Sequence, residues 1–246
     1  MKGNGKKSIW ISLIIFFIGY LLGMVILGIS VIGDFEALMF KPTVDGKSLL
    51  TTLKCPVMMS SSETGTIAVT LSNPVDSRIS PTVWTYISAG FITLIREERE
   101  NLILEPGDSQ QLQWTILPES AAFGGHWALV KIYVASQYPL PSSDAVCGVF
   151  VADMLGFTGA QVHIFSIALS GLLMAIGIGM YARAIKPLKR ATTRNLTSSL
   201  ITFGVLVLLG LISTIIGSYL LFLSALFFII SFMTVISFLL FQNHST

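Results

Sequence analysis

The sequence predicts an α-helical membrane protein with four transmembrane helices and an all-β extracytoplasmic domain inserted between helices 1 and 2. Three observations support this fold class. The mean hydropathy is +0.78, with 53% hydrophobic and 11% charged residues, whereas a soluble domain has about 25% charged residues. All 13 acidic residues lie between Asp34 and Asp153. The same middle region has the alternation of apolar and polar residues that is typical of β-strands.

The charged residues divide the chain into two compartments. Residues 34–153 contain seven bases and 13 acids, a net charge of −6. The other eight bases lie in flanks that contain no acid: Lys2, Lys6, Lys7, Arg183, Lys186, Lys189, Arg190 and Arg194. Because Lys and Arg accumulate in short cytoplasmic segments, these eight residues are predicted to set the topology. We therefore expect a multi-pass cell-membrane protein with cytoplasmic N- and C-termini and with residues 34–158 outside.

Residues 1–8 are predicted to form a basic cytoplasmic tail, and residues 9–33 transmembrane helix 1. The run from Ile9 to Ile32 contains no charge, and about 20 apolar residues cross a hydrocarbon core about 30 Å thick. A cleavable signal peptide is the alternative, since three lysines precede the run and Val31 and Gly33, at its end, are small enough for a cleavage site. The apolar region of a signal peptide has only about 7–15 residues, so we favour an uncleaved anchor.

Three more helices are predicted after the outer domain. Residues 159–182 form helix 2, and the basic run at residues 183–197 forms a cytoplasmic loop. After Arg194 the sequence contains no Asp, Glu, Lys or Arg, so residues 198–246 are predicted to form a helical hairpin, helices 3 and 4, and a short cytoplasmic tail. No predicted span contains such a residue either. Ion pathways and proton relays usually need intramembrane charges, which disfavours an ion pump or a proton-coupled transporter acting alone.

Small residues recur in the predicted helices and let helix backbones approach closely. They are predicted to pack the protein's own helix bundle; a specific interface with a partner subunit is the alternative. The residues assigned to helix packing are Gly19, Gly23, Gly171, Gly177, Gly179, Gly204 and Gly210.

The outer domain, residues 34–158, is predicted to contain seven short strands, the number and spacing expected of a β-sandwich. Alternation is clearest at residues 66–72, 111–116 and 128–134, and further strands are expected at 52–59, 82–87, 91–96 and 145–151. The charged run REERE at 96–100 is interpreted as a solvated strand end or turn, with a docking patch as the alternative. The segment FGGHW at 123–127 is interpreted as a turn with one aromatic in the core, or else as an exposed recognition loop.

The segments LILEPGDSQQLQWTILP, at 102–118, and IAVTLSNP, at 67–74, resemble the strands and turns of immunoglobulin-like and fibronectin-type β-sandwich modules. The resemblance covers about residues 50–152. It implies a sandwich fold with an adhesive or scaffolding use. The Cys…Trp…Cys arrangement of antibody domains is missing, so the resemblance does not imply antigen-type recognition.

The only two cysteines, Cys55 and Cys147, both lie in the segment predicted to be outside, where disulfides can form. We predict that they pair and join the first and last strands. Closing a loop of about 90 residues stabilises a domain by about 4 kcal/mol on the chain-entropy model. A metal site is not predicted. A copper centre of the cupredoxin type needs two histidines beside its cysteine, and His126 is the only histidine in this domain.

No catalytic motif or cofactor-binding fingerprint occurs in the sequence, such as GxSxG, a Walker loop or HExxH. The predicted function is therefore that of a non-enzymatic accessory or scaffolding subunit without a cofactor. It contacts membrane lipid, and it presents its β-sandwich to another membrane or extracytoplasmic protein. The sequence gives no argument for nucleic-acid binding.

Two alternatives rest on resemblances in topology. One helix, a large outer domain and three more helices resemble mechanotransmitting permeases of the MacB and FtsX type, which implies a transport component that works with an ATPase. Four helices, inner termini and a disulfide-bearing β-domain in the first loop resemble claudins, which implies a four-helix assembly protein.

Overall fold

A computed structural model describes residues 3–40, 45–91, 93–185, 191–216, 230–231 and 233. These residues form two compact units. One is helical and contains the chain up to Gly28 together with Ile164–Ile215. The other contains Ile29–His163 and includes all the strands.

The described residues contain three long helices, α1 (Gly3–Met39), α2 (Gly159–Ile185) and α3 (Ala191–Ile216). Each is long and apolar enough to cross a membrane. The fourth predicted helix falls on residues 217–229, 232 and 234–246, which lie outside the described residues. The ends of the predicted basic loop at 183–197 belong to α2 and α3.

Helix α1 does not end at residue 33, where its uncharged run stops. It continues as one helix to Met39, and Pro42 follows. The extension has a physical cause in the neighbouring sheet, which buries Ala37 and Phe40 and gives Asp34 a backbone hydrogen-bond donor. At 1.5 Å per residue, the 37 residues of α1 span about 55 Å, which is well beyond the hydrocarbon thickness of about 30 Å.

Eight strands build the second unit: β1 (Ser48–Leu49), β2 (Met58–Ser60), β3 (Gly65–Ser72), β4 (Thr82–Ser88), β5 (Ile95–Asn101), β6 (Ser109–Ile116), β7 (Trp127–Val134) and β8 (Ser143–Ala152). The larger sheet has the order β1-β8-β7-β4-β5, and the smaller sheet pairs β3 with β6. Strand β2 also pairs with β8. The two sheets enclose one apolar core, in which Ile67, Trp114 and Ile116 of the smaller sheet are buried with Val130 and Ile132 of the larger one. The two-sheet β-sandwich predicted from the sequence is therefore present.

Three details of the predicted strands are wrong. The strand expected at 91–96 begins only at Ile95, so REERE lies inside β5 and not at a strand end or in a turn. The strand expected at 52–59 is reduced to β2, and Cys55 lies in the connection before it rather than in a strand. Strand β1 has only two residues and no sequence signal. Both β1 and β2 form because each pairs its backbone with β8.

The outer edge of β8 is shared by three parts of the chain. Strand β1 pairs in parallel with its beginning, at Ser143 and Asp144, and β2 pairs in parallel with its end, at Phe150–Ala152. Between them, the backbone N–H of Gly148 donates to a side chain of α1, that of Asp34. The last part of α1 thus meets the sheet in the middle of β8.

Candidate functional site

The candidate site is the outer face of the larger sheet together with the last eleven residues of α1, which we call the α1–sheet surface. The sequence of β7, WALVKIYV, explains why this face exists. Ala128, Val130, Ile132 and Val134 point into the sandwich core. The alternate residues of the strand therefore point outward, and they are large: Trp127, Leu129, Lys131 and Tyr133.

Two glycines, Gly33 in α1 and Gly148 in β8, bring the helix close to this face. A Cβ on Gly148 would overlap the backbone of Gly33, and a Cβ on Gly33 would overlap the ring of Trp127. Two glycines are therefore needed for the helix to approach this closely. Asp34 Oδ1 accepts the Gly148 N–H at 3.1 Å, and Asp34 is buried. One turn further along α1, Ala37 and then Phe40 pack in a cluster with Tyr86 and Leu129.

Lys131 is the buried cation of the surface, only 3% exposed. Its Nζ lies 2.7 Å from Asp45 Oδ1 and 3.3 Å from Asp144 Oδ2. Two carboxylates around one buried ammonium supply the compensation that a desolvated charge needs. Asp45 belongs to the connection between α1 and β1, so the pair fixes that connection against the sheet.

Aromatic side chains continue the face beyond the helix. The rings of Trp84 and Tyr133 are 5.6 Å apart, and the Arg99 guanidinium lies 5.2 Å from the centre of the Trp84 ring. Burial raises the pKa of Tyr86, and the neighbouring Glu97 and Tyr133 raise it further. Sequence reasoning missed this second face. The signal was present, since both sets of alternating residues in β7 are largely apolar, as in a strand covered on both sides.

On its other side, α1 leaves a row of large apolar side chains exposed. We call it the helix stripe. Its members are between 52% and 64% exposed: Ile32, Phe35, Leu38 and Met39. Their spacing of three and four residues places them on one side of a helix.

The predicted disulfide between Cys55 and Cys147 is present, with 6.5 Å between the two Cα atoms. Cys147 faces the sandwich core, whereas the next residue, Gly148, faces α1. The bond ties the connection between β1 and β2 to the middle of β8. Consecutive residues of β8 therefore carry the two links, one on each face.

The turn at 123–127 has a mixed environment. Gly124 and Gly125 have positive φ angles. Trp127 is half-buried beside Gly33, and the ring of His126 stacks on Phe150 at 6.3 Å. Phe123 is exposed. A cavity of about 280 Å³ lies elsewhere in the sandwich, beside β1 and the connection between β7 and β8. Its lining has hydroxyl, amide and apolar groups but no titratable side chain.

In the helical unit, three of the glycines assigned to packing lie at close contacts. The Ser170 hydroxyl donates to the Gly19 carbonyl at 2.8 Å. A Cβ on Gly19 would lie 2.7 Å from Leu173, one on Gly23 would lie 2.7 Å from Val207, and one on Gly177 would lie 2.7 Å from Phe16.

The other four glycines have looser or different surroundings. A Cβ on Gly171 would have ordinary contact at 3.4 Å, one on Gly204 would have its nearest neighbour at 3.8 Å, and one on Gly179 would meet nothing within 4 Å. The carbonyl of Gly210, which is buried, accepts from the Ser213 hydroxyl at 2.6 Å.

The topology-setting bases are only partly within the described residues. Lys6 and Lys7 lie in the first turns of α1, Arg183 in the last turn of α2 and Arg194 in the first turn of α3. The remaining four lie outside the described residues: Lys2, Lys186, Lys189 and Arg190.

No protein-family model matches this sequence. No curated protein matches it either. Among solved structures, a CARDB domain from a Pyrococcus furiosus protein, in complex with di-metal ions, is 14% identical over 41% of this chain and 89% of that chain, with a TM-score of 0.32. A cycloisomaltooligosaccharide glucanotransferase from Paenibacillus sp. is 9% identical over 43% of this chain, with a TM-score of 0.32. A β-glucosidase from Listeria innocua is 14% identical over 40% of this chain, with a TM-score of 0.28.

The chain spans only 14% and 15% of the lengths of those two enzymes. At such identities and TM-scores, the similarities carry no functional information, and the assignment of a β-sandwich rests on the strand pairing of this chain alone.

In the ranges that the structure describes, no three His, Cys, Asp or Glu side chains are grouped so that they could hold a metal ion.

Proposed function

We propose that the chain is a non-enzymatic subunit of a cell-membrane assembly that presents its disulfide-bonded sandwich to another membrane or extracytoplasmic protein. Its N- and C-termini lie in the cytoplasm, and residues 34–158 lie outside. The single observation that carries the proposal is the helix stripe, because contiguous exposed apolar side chains mark interaction surfaces.

The length of α1 supports a position of the stripe outside the hydrocarbon core. With Lys6 and Lys7 at the inner boundary, about 20 residues bring the helix to the outer boundary near residue 29. Ile32 and Met39 are then the first and last members of a stripe that stands in the extracytoplasmic space. Lipid tails do not cover the stripe there, so a protein partner is the occupant that we propose.

The stripe is presented on a rigid base. Asp34 is hydrogen-bonded to β8, Gly33 is in close contact with Gly148, and Ala37 is fully buried against the sheet. A surface that is already ordered loses little conformational entropy when it binds. The partner is therefore expected to bind without rearrangement of this part of the sandwich.

Site-specific photocrosslinking in native membranes tests the proposal. A photoreactive residue replaces Phe35 or Leu38, and matched controls replace Thr66 or Gln113, which are exposed on the smaller sheet. We expect one discrete adduct from the stripe positions and none from the controls. The adduct must contain the protein that co-purifies in mild detergent, and Phe35→Glu must remove that protein while Thr66→Glu retains it. A strictly monomeric chain without stripe adducts would refute the proposal.

The topology has its own test. Since the described residues contain no free cysteine, one added thiol at a time can be labelled with a membrane-impermeant maleimide. Gln113→Cys is expected to react in intact cells, and Lys189→Cys only after the membrane is permeabilised. Labelling of position 189 in intact cells would contradict the proposed orientation.

A transport component is the second candidate, and one observation favours it. Helix α1 has no break between Gly3 and Met39, so it is a continuous rod that could transmit a movement of the sandwich. Such a component is expected to co-purify with an ATPase whose turnover depends on it. Phe35→Glu is also expected to change that turnover.

A further inference from the structure

Large apolar side chains are exposed at the tips of three separate connections in the sandwich unit. We call them the apolar rim. The turn between β4 and β5 exposes Phe91 (68%) and Leu94, and Ile95 begins β5 beside them. The turn before β7 exposes Phe123, and the connection from β8 to α2 exposes Leu155 (90%) and Phe157. Connections with apolar tips are unusual, since turns normally carry polar residues.

A series of contacts places the three connections at one end of the sandwich. A Cβ on Gly90 would lie 3.6 Å from the Glu119 carbonyl oxygen, and the Ser88 hydroxyl donates to the Ser120 carbonyl at 2.6 Å. These contacts bring the first connection to the short 3-10 helix at Pro118–Ser120, which leads into the turn with Phe123.

The turn that contains Phe123 is joined to the end of β8. The Val151 N–H donates to the His126 carbonyl at 2.8 Å. Strand β8 ends one residue later, at Ala152, and the connection with Leu155 and Phe157 follows directly. All six side chains of the apolar rim therefore belong to the end of the sandwich from which α2 departs.

The start of α2 is firmly anchored at this same end. Thr158 and Gln161 form a reciprocal capping box, in which Thr158 Oγ1 accepts from the Gln161 N–H at 3.2 Å and Gln161 Oε1 accepts from the Thr158 N–H at 3.1 Å. Glu63 Oε1 accepts the Gly159 N–H at 2.9 Å from the turn between β2 and β3. Helix α2 is long and apolar enough to cross a membrane from this point.

Backbone conformation supplies an independent observation. Among the described residues, the non-glycine residues with positive φ are Phe123 (49°) and Leu155 (50°). The left-handed region disfavours residues with a Cβ and is normally occupied by Gly, Asn or Asp. Both positions carry a large apolar side chain instead, and both are tips of the apolar rim. Folding alone does not account for a Leu that is strained and also almost fully in water.

We propose that the apolar rim inserts into the outer leaflet, at the boundary between headgroups and acyl chains, and seats the sandwich on the bilayer around the start of α2. Apolar side chains at this boundary are buried about 5–10 Å deep in interfacial segments. The occupant is lipid rather than protein because the rim lies at the end of the sandwich from which α2 departs, and α2 is long and apolar enough to cross a membrane. The rim's neighbours Glu119 and Asp153 are acids, so the insertion is apolar and does not need anionic headgroups. This proposal goes beyond the proposed function and does not require a partner subunit.

Spin-label depth measurements on the full chain in phosphatidylcholine nanodiscs test the proposal. Single cysteines at Phe91, Phe123 or Leu155 carry a nitroxide, and Tyr138→Cys and Ile103→Cys are the controls. Tyr138 is 95% exposed and Ile103 57% exposed, and both lie in connections at the other end of the sandwich. We expect the rim labels to collide with oxygen more often, and with a water-soluble nickel chelate severalfold less often, than the control labels. The same depths are expected when phosphatidylserine is added.

A measurement on the unmodified chain guards against variants that fail to fold. A photoreactive phosphatidylcholine, activated near the headgroup, is expected to crosslink peptides that contain Phe91, Phe123 or Leu155 and not the peptide that contains Tyr138. Rim labels as open to the nickel chelate as position 138 would overturn the proposal, as would shielding that appears only with anionic lipid. A failure of the stripe crosslinks would leave these results unchanged, so the two proposals are tested separately.

Discussion

The carboxylate of Asp34 accepts the backbone N–H of Gly148 at 3.1 Å, so a side chain of α1 takes the position of a neighbouring strand in the middle of β8. Strands β1 and β2 occupy the same edge on either side of this hydrogen bond. An unpaired strand edge invites pairing with other chains. Here the helix closes the gap between two short strands and is fixed to the sheet by the same contact.

Replacement of Asp34 measures this contact. Asp34→Ala leaves the buried Gly148 N–H without its acceptor, and we expect the sandwich to lose about 1–3 kcal/mol of stability. Asp34→Asn keeps an acceptor oxygen and is expected to lose less. Chemical denaturation in nanodiscs, followed by tryptophan fluorescence, gives the difference, since three of the four tryptophans lie in the sandwich. Equal losses in the two variants would contradict the role assigned to the acceptor.

Gly148→Ala tests the close approach of helix and sheet. The added methyl group would overlap the backbone of Gly33, and backbone cannot move aside as a flexible side chain can. We expect a loss of about 1–3 kcal/mol, the cost of overpacking, measured by the same denaturation. Gly179→Ala is the matched control, because a Cβ there would meet nothing within 4 Å. A neutral Gly148→Ala would mean that α1 does not lie against β8.

The sequence predicted the parts of the fold that depend on local patterns. Strands β3, β6 and β7 alternate with a period of two, and the structure forms them close to the expected bounds. The sequence did not predict the end of α1, because the charged residues Asp34 and Glu36 interrupt the apolar run. The helix continues because the sheet provides burial for Ala37 and a donor for Asp34, and neither is visible from neighbours in sequence.

The error at β5 has a similar cause and a useful consequence. Its residues are mostly Glu and Arg, which sheets disfavour, yet it forms because β4 pairs with it over seven residues. The apolar residues just before it, including Phe91 and Leu94, were predicted to be the strand. They lie in the turn instead, where the sandwich leaves them exposed, and this exposure is the basis of the apolar rim. The α1–sheet surface was missed because it combines residues that are far apart in the sequence, such as Asp34 and Gly148, which are 114 positions apart.

Lys131→Met tests the buried cation. The methionine fills most of the same volume but leaves Asp45 and Asp144 without their shared ammonium. Breaking a fully buried pair costs about 3–5 kcal/mol because a buried charge is left unpaired. The two carboxylate side chains left here are 64% and 23% exposed, so we expect a smaller loss of about 1–2 kcal/mol. The denaturation midpoint reports the loss. In a double-mutant cycle with Asp144→Asn, the loss of stability in the double variant is expected to be smaller than the sum of the losses in the two single variants. Strict additivity would show that the two side chains do not interact.

Tyr86→Phe tests the electrostatics of the α1–sheet surface. Burial raises the pKa of Tyr86 above its ordinary value of 10.0, and Glu97 and Tyr133 raise it further. A raised pKa in the folded state means that the contribution to stability is complete below pH 10.0 and is lost as the pH rises through the folded-state pKa. We expect the wild-type sandwich to lose more stability above pH 10.0 than Tyr86→Phe does. Tyr138→Phe, at a position that is 95% exposed, is the control for the removal of one phenolic hydroxyl.

The disulfide is expected to be the largest single covalent contribution to the stability of the sandwich. Cys55 and Cys147 are 92 residues apart, and closing a loop of that size stabilises a domain by about 4–5 kcal/mol on the chain-entropy model. Reduction, or the double variant Cys55→Ala and Cys147→Ala, should therefore make the sandwich far more sensitive to protease in nanodiscs. Single and double variants should lose similar amounts, because either one breaks the same bond. A reduced sandwich with unchanged protease resistance would show that contacts around β8, including Asp34 with Gly148, are sufficient to hold this edge.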